Sequence, residues 1–169
     1  MTNPQHFINF SKPFVSAAKN VFSKMVFAEI KPLKPLIKDT KLSLGEISSI
    51  MGLTGKVERN GILTDFKGMF VLSFPKSTYV KIASAMLMED YNDYVDEICD
   101  VGSEISNIIT GNAKRDLSEI GYKIDMSIPS TITGSSHAIH YPQNTQIVLI
   151  PIECAHGNFY MELSYAEIS

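Results

Sequence analysis

The residues best spaced for chemistry in this sequence lie between Asp100 and Lys114. At about 100° of turn per residue, Asp100, Glu104, Asn107, Gly111 and Lys114 gather on one side of a helix, at i, i+4, i+7, i+11 and i+14. Ile98, Gly102, Ile105, Ile109 and Ala113 fall roughly opposite, the apolar stripe of a core-facing helix. Glu104 and Asn107 are three apart, so their side chains stand next to each other on the polar surface. Such a pair does hydrogen-bonding chemistry: the carboxamide offers an acceptor oxygen and two donor hydrogens, and the carboxylate adds a charge. Most solvated helix faces carry Glu, Asp and Asn with no function. Two details count against that bland account here. A mid-helix glycine costs about 1 kcal/mol relative to alanine, so an outward Gly111 needs a reason, such as letting another backbone approach. An outward asparagine is also a mediocre helix former, because its amide competes for backbone hydrogen bonds.

Other patterns carry less. Gly52-Leu-Thr-Gly55-Lys56 superficially suggests a phosphate loop, but the first glycine is too close to the Gly-Lys pair, and a strand-end turn is the expected structure. His137 and His140 are three apart, which on a strand sends them to opposite faces and prevents joint chelation. Cys154-Ala-His156 could be imagined as metal ligands, but loop or strand surface is the expected place for them, and the sequence does not place the groups that a Cys/His nucleophilic site would need. The two cysteines, Cys99 and Cys154, are too few for a disulfide framework and have no paired metal-ligand spacing. Met86, Met88 and Met126 read as core filler.

The polar face needs elements to hold it. Residues 7–25 repeat Phe7, Phe10, Phe14, Ala17, Ala18, Val21, Phe22 and Met25 with helical periodicity, and Pro13 bends this helix or marks its start. Residues 31–38 contain two prolines and read as extended. Strands are predicted over 44–53, 61–66 and 68–74, with Asn60-Gly61 as a turn and Gly68 as a bulge or close approach. A second helix covers 75–88, and the longest periodic stretch runs from about 92 to 120, ended by Gly121. Strand character resumes over 122–133 and 145–154. The last run alternates, with Phe159, Met161, Leu163 and Tyr165 on one side and Tyr160, Glu162 and Ser164 on the other, which predicts one buried and one wetter sheet face. This order gives an α+β two-layer sandwich: a mostly antiparallel sheet of about six strands with three helices packed on one face. Residues 1–169 are expected to form one domain, since no linker, repeat or low-complexity tract divides them.

Composition excludes several classes. At 44% hydrophobic and 20% charged residues the chain reads as an ordinary soluble domain. Its net charge of −3 disfavours a nucleic-acid partner. No window approaches the roughly 20 apolar residues of a membrane span, and nothing at the N-terminus reads as a signal peptide. Two reduced thiols in the cytoplasm are the plainest account of the cysteines.

Asp100-Val-Gly-Ser-Glu104-Ile-Ser-Asn107, then Thr110-Gly111, then Pro129 before Ser130-Thr131-Ile132-Thr133-Gly134, resembles the signature of the CheC/CheX/FliY phosphatases. That signature has an acidic residue or Ser, a Glu a turn further in, an Asn, and a distant Pro opening a strand. Met51-Gly-Leu-Thr-Gly55 looks like the family's strand before the second hairpin, and residues 75–88 like its second helix. CheC-type members carry another Glu-x-x-Asn on the first helix; Ser16-Ala-Ala-Lys19-Asn20 has no Glu three before Asn20. One intact site makes the chain similar to the CheX branch.

The resemblance implies hydrolysis of the aspartyl phosphate of a phosphorylated CheY-type response regulator. It assigns Asn107 to positioning the attacking water and Glu104 to the regulator's active-site Lys, with Asp100 and Gly111 in the docking surface. It implies no cofactor of the chain's own, Mg2+ being expected in the partner regulator, and it allows a homodimer by sheet extension. The competing reading is a non-catalytic CheC-like adaptor that binds a response regulator or deamidase partner without hydrolysis.

Overall fold

Asn60 and Gly61 both take positive φ, 53° and 79°, as a two-residue type I′ hairpin turn requires. The turn joins β3 (Ile47–Arg59) to β4 (Ile62–Phe74), which pair antiparallel along their full lengths. The computed structural model, which describes residues 3–168, builds outward from this hairpin. On the β4 side come β8 (Phe159–Ile168) and β7 (Gln146–Cys154); on the β3 side comes β5 (Tyr122–Met126). The outer edge of β7 is shared by β1 (Ile30–Pro32) and β2 (Leu36–Lys38), and that of β3 by β5 and β6 (Ser130–Thr133). Among the described residues the sheet therefore has eight strands in six lanes, all antiparallel. The prolines at 32 and 35 account for one divided edge, since Pro has no N–H for a ladder.

Three helices, α1 (Pro4–Val21), α2 (Lys76–Leu87) and α3 (Val101–Ser118), cover one face and share one apolar core with it. Aromatic rings of α1 and its π-helical extension Phe22–Val26 stack on the sheet: Phe10 on Tyr165 at 4.3 Å, Phe14 on Phe70 at 5.3 Å and Phe22 on Phe159 at 4.9 Å. Such offset pairs add to the area that they bury. Asn3 caps α1, its side chain accepting from the Gln5 N–H at 2.8 Å, and Pro4 opens the helix, so Pro13 lies inside it and does not mark its start. No helix among the described residues is long and apolar enough to cross a membrane.

Several sequence expectations change. Residues 62–74 form one strand, and its register is unbroken at Gly68; a Cβ there would lie 2.2 Å from the Ser164 carbonyl oxygen, so close approach explains the glycine. Gly52 to Lys56 lie inside β3 rather than at a strand-end turn. The alternation in β8 does not give a wet face, for Glu162 and Ser164 are fully buried. Residues 39–46 and 134–145 cross over that face, joined by the Leu42–Ala138 bridge and by Ile139 N–H donating to the Lys41 carbonyl at 2.8 Å. Beneath them Glu162 accepts from Lys38 Nζ at 2.7 Å and from the Tyr141 hydroxyl. Met88 is 78% exposed, because it ends α2 in the left-handed conformation and points away from the core.

Candidate functional site

The long helix begins at Val101, not near residue 92. Ahead of it the chain makes side-chain bonds that compete with helix: Asp93 Oδ1 accepts from Tyr94 N–H at 2.8 Å, and Ser84 Oγ accepts from Tyr91 N–H at 3.0 Å. Val95 is extended, and a 3-10 turn, Asp96–Ile98, leads into α3.

Two contacts set where α3 starts. Tyr79 of α2 is buried, and its hydroxyl donates to the Ile98 carbonyl at 2.6 Å while accepting from Gly102 N–H at 3.0 Å. It thus satisfies one of the donors that every helix N-terminus leaves open. Burial pushes the Tyr79 phenol well above its usual range, so it stays a donor at any ordinary pH. A Cβ on Gly102 would lie 3.0 Å from the Tyr79 ring, so the helix sits close against it. One residue on, the Ser103 and Thr131 hydroxyls are 2.8 Å apart, tying the first turn of α3 to β6. Further along, Thr110 Oγ1 lies 3.4 Å from Met51 Sδ of β3 and donates to the Ser106 carbonyl at 2.9 Å.

On this fixed helix Glu104, Asn107, Gly111 and Lys114 are all exposed, while Val101, Gly102, Ile105, Ile109, Ala113 and Leu117 are buried. The two faces are those that the 100° projection predicts. No hydrogen bond or ion pair engages the Glu104 or Asn107 side chain among the described residues, so both are free to meet a partner. Asp100 is exposed as well, but it stands at the N-cap position, where its carbonyl accepts from Glu104 N–H at 2.9 Å and its side chain makes no capping bond. A Cβ on Gly111 would meet nothing within 4 Å, so packing within the chain does not require glycine there. Asp100, Glu104, Asn107 and Gly111 thus share one solvent-facing surface.

α1 lies beside α3, and a cavity of about 510 Å3 between them is lined by Asn9, Lys12, Pro13, Ser16, Asp116 and Ile120, among others. Ser16, Lys19 and Asn20 are exposed on α1, with no carboxylate three residues before Asn20. His137 has both ring nitrogens engaged, Nδ1 with the Gly134 carbonyl at 2.9 Å and Nε2 with Ser48 Oγ at 2.6 Å. Among the described residues no three His, Cys, Asp or Glu side chains come together as a metal cage. Tyr79, Ser103 and Thr131 position the site without having been legible in the sequence. A Tyr within an apolar helix stripe and two hydroxyls 28 residues apart carry no local signal of what they touch.

Known proteins share this arrangement of elements. Residues 47–153, from the start of β3 into β7, match the family described as "Chemotaxis phosphatase CheX". A CheC-like superfamily protein from Shewanella sp. PV-4 is 30% identical, with a TM-score of 0.81 over 94% of this chain and 98% of that one. The chemotaxis protein CheX from Vibrio vulnificus is also 30% identical, with a TM-score of 0.79 over 94% and 99%. The structure of the CheX-CheY-BeF3-Mg2+ complex from Borrelia burgdorferi contains a chain 26% identical, with a TM-score of 0.73 over 95% and 98%. Among curated proteins nothing matches. The family match spans more than half of the chain and includes the whole of α3, so the chain belongs to the CheX family.

Proposed function

We propose that this chain hydrolyses the aspartyl phosphate of a CheY-type response regulator, with Asn107 orienting the attacking water and Glu104 engaging the regulator's active-site Lys. The observation that carries this reading is the pair itself: a carboxylate and a carboxamide, adjacent, exposed and unpartnered among the described residues, on a helix pinned at its start by Tyr79 and Ser103. Phosphoryl transfer passes through a loose transition state and needs positioning more than covalent help. A carboxamide holds a water by both accepting and donating, and it brings no negative charge toward an anionic phosphoryl group. The Glu104 carboxylate, one turn away, suits a lysine, and a charge-assisted bond there would fix the register of the two proteins.

In this reading Mg2+ belongs to the regulator, the chain needs no cofactor of its own, and both proteins work in the cytoplasm. The Borrelia complex supports the partner class, since its CheX is held with CheY, BeF3 and Mg2+; BeF3 is a tetrahedral stand-in for a phosphoryl group. Asp100 and Gly111 complete the docking surface, the first by charge and the second by leaving room for the partner's backbone. A homodimer by sheet extension would use an outer lane, β1/β2 or β5/β6.

The test is the decay of a phosphorylated CheY-type regulator with wild type and with Asn107→Ala. Wild type should accelerate the decay, and the variant should lose that acceleration while keeping its thermal stability, because Asn107 is exposed. Full activity in Asn107→Ala refutes the mechanism. Binding without acceleration by wild type establishes the adaptor instead.

A further inference from the structure

We propose that Ile128 anchors the regulator: it is an apolar knob that seats on the partner beside the pocket entered by Glu104 and Asn107. This rests on the phosphatase reading and adds a residue to it. The evidence begins with strand register. Leu53 pairs with Met126, and Ile50 pairs with Ser130. Between these rungs β3 has Met51 and Gly52, whereas the outer lane has Ser127, Ile128 and Pro129. The outer lane therefore carries one extra residue, a bulge of the kind that re-aims a side chain.

The bulge is held firmly. Ser127 N–H donates to the Gly52 carbonyl at 3.0 Å, and Gly52 N–H donates to Ser127 Oγ at 2.8 Å. Pro129 has a fixed φ and restricts Ile128 before it to extended conformations. Ile128 is thereby turned out of the sheet and is 88% exposed, more than any other large apolar residue described. Its level along α3 follows from two contacts. Thr110 of α3 sits over Met51, a residue opposite the bulge, and Ser103 is tied to Thr131 just beyond it. Ile128 therefore stands on the flank of α3, level with the turn from Asn107 to Gly111.

A lone exposed isoleucine is ordinary, but this one is ordered by a bulge and a proline beside the polar pair. Protein partners account for it. Exposed polar and charged contacts add little affinity, interfaces draw most of theirs from a few residues seated in desolvated pockets, and burying one large aliphatic side chain adds to it in proportion to the apolar area removed from water. Glu104 and Asn107 would supply register and chemistry, and Ile128 the hold.

The experiment measures initial rates of dephosphorylation against regulator concentration for wild type, Ile128→Ala, Ile128→Asp and Asn107→Ala, with sedimentation of each protein alone. Ile128→Asp should raise KM roughly tenfold or more, the loss expected when one large apolar side chain no longer finds its contact. Ile128→Ala should raise KM less. In both, kcat and melting temperature should match wild type, whereas Asn107→Ala should lose kcat. An unchanged KM in both Ile128 variants overturns the proposal. So does a change in self-association with KM intact, which would make Ile128 a contact between copies of this chain. If wild type neither binds nor dephosphorylates the regulator, the phosphatase reading fails and Ile128 falls with it.

Discussion

Replacing Tyr79 by Phe removes one oxygen and keeps the ring. The ring's edge contacts with Phe74 at 5.5 Å and Tyr94 at 5.4 Å survive, so the apolar packing of α2 on the core is retained. What disappears is the link from the Ile98 carbonyl, through the hydroxyl, to Gly102 N–H. Both Ile98 and Gly102 are buried, so water replaces that oxygen poorly. An unmet buried backbone group costs about 1–3 kcal/mol, and relaxation of the helix start recovers part, leaving about 2 kcal/mol in all. For a chain of this size that is a fall of about 4–8 °C in melting temperature. The loss should be local in its effect. Amides of the first turn of α3, from Gly102 to Ile105, should exchange faster with solvent, while those of β3, β4 and β8 change only with global stability. Because Glu104 sits in that turn and Asn107 in the next, kcat toward the phosphorylated regulator should fall more than KM rises. Calorimetry, amide exchange by mass spectrometry and the phosphate-release assay test each part. A Tyr79→Phe protein with wild-type melting temperature and wild-type exchange at residues 102–105 would refute the claim that this hydroxyl sets the helix start.

Gly111→Ala should move stability and activity in opposite directions: it fills open space, so it should stabilise by up to about 1 kcal/mol in chemical denaturation, yet slow dephosphorylation by obstructing the partner's approach. Lys38→Met should cost about 3–5 kcal/mol, because it strands the fully buried Glu162 carboxylate without its cation; adding Glu162→Gln should restore much of the loss, and urea titrations of both variants decide the matter. Burial acts to raise the Glu167 carboxyl, but hydrogen bonds from Arg59 at 2.8 Å and Tyr165 at 2.7 Å outweigh it and hold the group below its ordinary range. A lowered folded-state pKa gives stability that is present above the unfolded value and lost as pH falls through the folded one. The melting-temperature gap between wild type and Glu167→Gln should therefore be full at neutral pH and close on acidification.

The sequence makes legible what neighbours along the chain decide. The polar face of α3 follows from a rotation of 100° per residue, so spacing alone places Glu104, Asn107 and Gly111 together. Asn60-Gly61 announces its turn because few residues accept two successive positive φ angles. Other features depend on partners far along the chain, and no period encodes those. The helix starts at Val101 because a tyrosine more than twenty residues earlier bonds Gly102, and the same apolar spacing would have allowed it to start sooner. Glu162 looks like a solvent-facing residue in an alternating strand, but Lys38, 124 positions away, and the two segments that cross over that face bury it. The bulge at Ile128 exists only as a mismatch between β3 and the lane of β5 and β6 beside it, since its count needs both sides. Periodicity says which side of an element is apolar; which surface, hydroxyl or charge meets the other side is settled only when the chain closes on itself.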